Sequence, residues 1–154
     1  MTSTAAVRQA TPDDLETVAQ LFDQYRQFYR RASDLPAARA FIGSRLQNGD
    51  SIIFVVQVEP GGAIVGFTQL YPLFASLSIG RAFVLNDLFV SPVARGLGLG
   101  RHLVVRAAQY GRESGARYLE LSTQTTNVAA QRLYEKLGWV RDTEFLHYSV
   151  DLGT

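Results

Sequence analysis

Residues 86–103, NDLFVSPVARGLGLGRHL, hold the densest group of positions whose types and spacing could do chemistry. An apolar stretch through Leu88, Phe89 and Val90 stops at Pro92, passes Gly96, Gly98 and Gly100, and enters a helical pattern. A glycine-rich turn that opens a helix can hold an anion. The backbone N–H groups of the first turn have no intrahelical partner, and the helix dipole adds about half a positive charge there. Glycine admits positive φ and lets a phosphate approach the backbone closely. Two common phosphate motifs are not met. Arg101 stands where the third glycine of G-x-G-x-x-G would fall, and no Gly-Lys-Ser/Thr follows. The spacing that remains is Arg95-x-x-Gly98-x-Gly100.

The composition limits what such a site could serve. A chain of 154 residues is expected to form one domain, spanning 1–154. Hydrophobic residues at 47% and charged residues at 19% are enough for a sizeable core and exclude a disordered chain. A net charge of +1 supplies no basic field for nucleic acid or an anionic membrane. The absence of cysteine excludes disulfides and a cysteine nucleophile. His102 and His147 are the only histidines, so no metal site is expected. The N-terminus lacks the apolar core of a signal peptide, and the longest aliphatic and aromatic run, 52–56, is too short to span a bilayer. The expectation is a cytoplasmic protein with no membrane or nucleic-acid partner.

The elements that must position the loop follow from the pattern. Residues 5–9 read as a strand. Thr11 and Pro12 start a helix whose stripe is Leu15, Val18, Ala19, Leu21, Phe22 and Tyr25, extended by Phe28 and Tyr29. Residues 33–36 break it and begin a second helix, which ends near Gly49. Residues 51–58 and 63–71 are β-branched and aromatic strands around a turn at 59–62. A sparsely charged loop at 73–80 precedes the central strand, 81–90. After the glycine loop, Leu99, Leu103, Ala107 and Tyr110 mark a helix closed by Gly111 and Gly115. A strand at 117–122, a helix at 127–137 stopped by Gly138, and an alternating strand at 143–152 complete the order. This mixture predicts a mostly antiparallel sheet covered by helices, with one parallel crossover after the central strand.

Residues 127–139, NVAAQRLYEKLGW, supply a second motif. Arg95-x-x-Gly98-x-Gly100 resembles the pyrophosphate-binding motif R/Q-x-x-G-x-G/A of the GNAT superfamily of acetyl-CoA-dependent N-acetyltransferases. Asn127, Ala130, Tyr134, Gly138 and Trp139 resemble that family's other signature, N-x-x-A-x-x-x-Y-x-x-x-G-(F/W). The order and spacing of the two motifs fit. The resemblance implies the GNAT fold, an α/β (α+β) architecture with a mixed, mostly antiparallel central sheet flanked by helices. A finer likeness, to the diamine and small Hpa-type acetyltransferases, rests on QYRQFY at 24–29 and VLNDLFV at 84–90. Asn86 departs from it. Diamine acetyltransferases carry glutamate there, a proposed base whose role does not transfer.

Acetyl-CoA is the implied acyl donor. The resemblance places its pyrophosphate on Arg95, Gly96, Leu97, Gly98, Leu99, Gly100 and Arg101. It places the pantetheine arm along the backbone of Leu88, Phe89 and Val90, where a strand bulge in this family turns an N–H toward the thioester carbonyl. Asn127, Ala130 and Tyr134 would touch the same cofactor. Tyr134, titrating near 10 when unperturbed, could protonate the leaving thiolate. The base stays open among Asp87, Glu120 and His147, and Asp87 reads equally well as a structural hydrogen-bond partner. Tyr25, Tyr29 and Asp87, with the 73–80 loop, would face a small protonated amine, while Phe28 reads as core. The implied function is direct acetyl transfer to a primary amine of a small molecule. A protein lysine or N-terminal acetyltransferase and a non-catalytic acetyl-CoA-binding module are the alternatives. Relatives in the subgroup suggest a homodimer, paired through the strand at 147–152.

Overall fold

The computed structural model describes residues 4–153 and divides into two units, Met1–Ser122 and Thr123–Thr154. In the first unit, β1 (Ala6–Gln9), β2 (Ile52–Gln57), β3 (Ile64–Ala75), β4 (Gly80–Val90) and β5 (Leu119–Glu120) form one sheet in the order β1-β2-β3-β4-β5. The first four strands are antiparallel neighbours, and β5 runs parallel to β4. Helices α1 (Leu15–Phe28) and α2 (Leu35–Asn48) lie between β1 and β2, and α3 (Leu99–Glu113) makes the crossover from β4 to β5. This is the mixed, mostly antiparallel sheet that the element order predicts.

Strand β2 is apolar on both faces. In β2, Ile53 and Val55 join Val18, Leu21, Ile42, Phe67 and Phe89 in the core beneath α1 and α2. The alternate residue Phe54 meets Tyr110 of α3, with ring centroids 5.7 Å apart. A strand covered on both faces carries no polar alternation, which is why β2 reads as an unbroken β-branched and aromatic run.

Local chemistry explains where the helices begin. Asp14 accepts from both terminal nitrogens of Arg8, at 2.7 and 2.9 Å, and from the Thr11 backbone N–H at 2.8 Å. These bonds hold its carboxyl at about 2, below the usual carboxylate range, and tie β1 to the 3-10 turn Pro12–Asp14 that leads into α1. Asp23 of α1 accepts from Ser33 Oγ (2.6 Å) and the Asp34 N–H (2.8 Å), which fixes the α1–α2 connection. Asp34 in turn caps α2 by accepting from Ala37 N–H. Gly49 ends α2 at φ 61°, the left-handed geometry glycine takes without strain.

Several expected boundaries are corrected. Strand β3 runs on through Pro72 to Ala75, so the loop expected at 73–80 shrinks to the 3-10 turn Ser76–Ser78 and its flanks. Pairing with β4 continues to Ala75 and Gly80, because a long hairpin satisfies backbone groups that a loop would leave to water. The strand expected at 117–122 is only Leu119–Glu120. Gly111 lies inside α3 rather than closing it, and a Cβ there would meet the Leu119 side chain. Glycine at 111 therefore serves close packing of helix on strand.

In the second unit, α4 (Val128–Lys136) is capped by the Asn127 side chain, which accepts from Ala130 N–H at 3.1 Å. Gly138 follows the helix at φ 91°, as a terminating glycine should. The alternating strand expected at 143–152, including the 147–152 segment given a pairing role, is not formed among the described residues. Leu146, Tyr148, Val150 and Leu152 are exposed. Alternation sets which face a side chain takes, but a strand also needs a partner for its backbone groups.

Candidate active site

The loop between β4 and α3 has the form of an anion cradle. Gly96 and Gly98 have φ of 81° and 73°, and Gly98 is the N-terminal cap of α3, with no side chain capping it. A Cβ built on Gly96, Gly98 or Gly100 would meet nothing within 4 Å. The backbone is thus bare on the side where a ligand would come, and the first N–H groups of α3 lack intrahelical partners. This is the form of a backbone anion site, and it spans the expected residues Arg95, Gly96, Leu97, Gly98, Leu99, Gly100 and Arg101. Gly98→Val puts a β-branched residue at positive φ and fills the cradle. It is expected to raise the acetyl-CoA Kd at least about tenfold, or roughly 1.4 kcal/mol, measured below a melting temperature that the backbone strain lowers. Isothermal titration checks this, and unchanged affinity would remove the loop from the cofactor site.

Strand β4 presents a second feature. Its register with β3 jumps between Gln69, opposite Asp87, and Leu70, opposite Leu85, so Asn86 is a bulged residue. The bulge changes which face of the sheet the odd-numbered residues take. Phe89 packs on Tyr25 of α1, with centroids 6.3 Å apart, whereas Phe83 packs on Tyr110 of α3 at 5.5 Å. Without the extra residue both rings would lie on one face.

The same strand has an edge free of ladder pairing. Ser91 N–H donates to Val65 O at 2.8 Å, so alternation directs the backbone of Phe89 and Asp87 to β3 and turns that of Leu88 and Val90 the other way. Among the described residues, β5 pairs only with Phe83 and Val84. The outward groups of Leu88 and Val90 are therefore open to an amide-bearing chain, apart from Val90 O, which accepts from Arg95 Nε at 3.0 Å.

Asp87 sits at the bulge and is 3% exposed. The Gln69 amide donates to its Oδ2, and Asn86 Nδ2 donates to its Oδ1 at 3.0 Å. Gln69 is itself buried, accepts from Ser51 Oγ at 2.8 Å, and donates to the Tyr71 hydroxyl at 3.2 Å. The Tyr25 hydroxyl donates to Asn86 O at 3.2 Å and lies beside the Asp87 carboxyl. Burial pushes the Asp87 carboxyl above its ordinary range, against the opposing pull of the Gln69, Asn86 and Tyr25 hydrogen bonds. Burial, with the Asp87 charge behind it, pushes the Tyr71 hydroxyl up to about 12 and raises the Tyr25 hydroxyl as well.

The fold thus brings Tyr25, Asn86 and Asp87 together, and adds Gln69, Tyr71 and Ser51, which the sequence reading missed. The available signal was Gln69 itself, a large polar residue inside the apolar run of β3. Tyr29, which caps the end of α1, packs edge-on against Tyr25 at 5.1 Å and is exposed. Phe28, read as core, is 54% exposed, because α1 turns that position away from the sheet and under Arg95. Glu120 is exposed on β5 opposite Val84, and His147 lies in the exposed stretch of the second unit. Asn127, Ala130 and Tyr134 also belong to the second unit. There the half-buried Tyr134 ring stands 6.0 Å from that of Trp139. Among the described residues, no cluster of histidine or carboxylate side chains could hold a metal.

Known proteins resemble the chain over nearly its whole length. The family model described as "Acetyltransferase (GNAT) family" matches residues 15–139. An uncharacterized N-acetyltransferase, YhfO, of Bacillus subtilis (strain 168) is 47% identical over 146 residues, covering 95% of this chain and 97% of that protein. The crystal structure of a probable acetyltransferase superposes with a TM-score of 0.90 at 36% identity, covering 97% of this chain and 99% of that one. AAC(6')-Iy in complex with the bisubstrate analog CoA-S-monomethyl-acetylneamine shares the fold, with a TM-score of 0.78 at 20% identity over 96% of this chain and 98% of that one.

Proposed function

Because the chain belongs to the GNAT family of acetyltransferases, we propose that it moves an acetyl group from acetyl-CoA to a primary amine of a small molecule. The observation that carries this reading is the pairing of a bare glycine cradle with a buried carboxylate at a strand bulge, both on β4 and the loop that leaves it. When bound, acetyl-CoA supplies a thioester already activated toward an amine.

The chain's own residues do the rest. Backbone N–H groups of residues 95–101 hold the pyrophosphate, and Leu88 and Val90 offer backbone groups to the arm. Asp87 attracts the ammonium form of the acceptor and takes its proton. A carboxyl whose pKa burial has raised is a better base near neutrality than a solvated one. Tyr25 and Tyr29 form an aromatic wall beside it, suited to a small cation. Tyr134, assigned from its motif, holds the proton for the departing thiolate.

An amine acceptor is supported by the QYRQFY and VLNDLFV likeness to diamine and Hpa-type enzymes, and by the bisubstrate analog CoA-S-monomethyl-acetylneamine in the fold relative. A homodimer and a cytoplasmic location belong to the same proposal. With no cysteine to carry an acetyl group, the amine attacks directly in a ternary complex. A thiol-release screen of amines and peptides with acetyl-CoA tests the substrate class, and initial rates on the best acceptor test the route. Intersecting double-reciprocal lines are expected. Parallel lines overturn direct transfer, and peptides turned over in preference to every small amine would make the protein an acetyltransferase of protein substrates.

A further inference from the structure

We infer that the Arg95 side chain anchors a carboxylate carried by the acceptor, so that the molecule acetylated is an amino acid or a similar amine with an acidic group a few bonds away. This rests on the amine-transfer reading above and goes beyond it by naming the acceptor's second functional group.

Three observations converge on Arg95. Its Nε is engaged by Val90 O at 3.0 Å, while among the described residues neither terminal nitrogen has a hydrogen-bond or carboxylate partner. Its guanidinium carbon stands 5.6 Å from the ring centroids of both Phe28 and Phe89. Contact with two aromatic faces holds a guanidinium in place without neutralising it. The terminal nitrogens are then an oriented fork with the spacing of a carboxylate.

The fork borders an open surface pocket of about 360 Å³ lined by Gln24, Gln27, Phe28, Phe89, Pro92 and Arg95. No acidic residue lines it, and no residue of 96–101 does either. A cation opening there faces the α1 side of β4 rather than the glycine cradle, which favours an acceptor anion over the cofactor's pyrophosphate. The volume lies at the small end of ligand sites, suited to a molecule of amino-acid size.

The pocket also lies along the strand from Asp87. Phe89, in its wall, is two residues beyond Asp87 and on the same face, about 6–7 Å away along a strand. Tyr25 spans the two, with its ring on Phe89 and its hydroxyl on Asn86 O. An acceptor lying along β4 can put its amine toward Asp87 and its carboxylate on Arg95. A diamine would meet the wrong charge there.

The test compares glycine, β-alanine and γ-aminobutyrate with their carboxamides, which keep the amine and remove the negative charge. With acetyl-CoA saturating, the wild-type protein is expected to show a KM at least about tenfold lower for an acid than for its amide, and Arg95→Met to bring that ratio close to one. Titration of the same pairs into protein saturated with coenzyme A reads the preference without turnover. Arg95→Lys, which keeps the charge but not the fork, should recover part of it, and melting curves confirm that each variant folds. Equal binding of acids and amides by the wild type overturns the inference. So does an Arg95→Met variant that keeps the acid preference but loses acetyl-CoA affinity, since the fork would then serve the pyrophosphate. An acid preference that depends on Arg95 but comes with no acetylation of any amine would uphold the anchor and overturn the amine-transfer reading instead.

Discussion

Tyr134→Phe is expected to lower kcat by about 10²-fold or more, the usual range for loss of a general acid. The Kd for acetyl-CoA should stay within about twofold if the hydroxyl acts mainly in the transition state. Phenylalanine keeps the ring that stands beside Trp139 and the bond from the Trp139 backbone N–H to the residue 134 carbonyl at 3.0 Å, so the local packing of the second unit survives. A cysteine thiol titrates near 8.5, and a thiolate of this kind is a fair leaving group whose protonation helps without being indispensable. The expected loss is therefore large but not total. Single-turnover rates with bound acetyl-CoA, measured beside the binding constant, separate the two effects. A kcat near wild type would make Tyr134 a packing or cofactor-contact residue and end its assignment as the acid.

Asp87→Asn is expected to lower kcat/KM by about 10²- to 10³-fold, because it removes both the proton acceptor and the charge that attracts an ammonium. The fold should tolerate it. An asparagine oxygen can still accept from Gln69, and the amide is nearly isosteric with the carboxyl. The pH profile gives an independent check. Burial raises the Asp87 carboxyl, so its proton is lost at a higher pH than for a solvated aspartate, and the active carboxylate form disappears as pH falls through that raised value. Wild-type kcat/KM should therefore show an acid limb above the ordinary carboxylate range, and Asp87→Asn should abolish it. Gln69→Leu removes a hydrogen bond that favours the carboxylate, and should move the limb to still higher pH. A limb that stays in place in Asp87→Asn would assign the base to Glu120 or His147.

The two motifs were legible because each reports a local backbone requirement. Gly96 and Gly98 have positive φ in the structure, and Gly138 ends α4 in the same region. Asn127 caps α4 with its own side chain. Such conditions depend on residues a few positions apart, and a sequence displays them directly. The helical stripes and the β-branched run of β2 were legible for a related reason, since burial of one helix face imposes a period and burial of both strand faces an unbroken apolar run. The mostly antiparallel sheet with its one parallel crossover followed from the order of those elements, although five strands form among the described residues where six were expected.

Other features needed contacts between residues far apart in the chain. The bulge at Asn86 is a mismatch between two strands, and no property of β4 alone marks it. Gln69 reaches Asp87 across eighteen positions, and Tyr25 reaches Asn86 across sixty-one. Phe28 continued a helical stripe, yet the helix left it exposed beneath a guanidinium. The alternation of 146, 148, 150 and 152 was strand-like in sequence, but alternation carries no information about whether a partner strand is present. The sequence by itself determined the family, the glycine turn that opens α3 and the local ends of helices, because these depend on backbone dihedrals and short-range hydrogen bonds. Only the tertiary structure decided that Asp87 is buried against the Gln69 and Asn86 amides beside Tyr25 and that Arg95 lies over Phe28 and Phe89, because burial and charge pairing are properties of neighbours that the chain brings together only by folding.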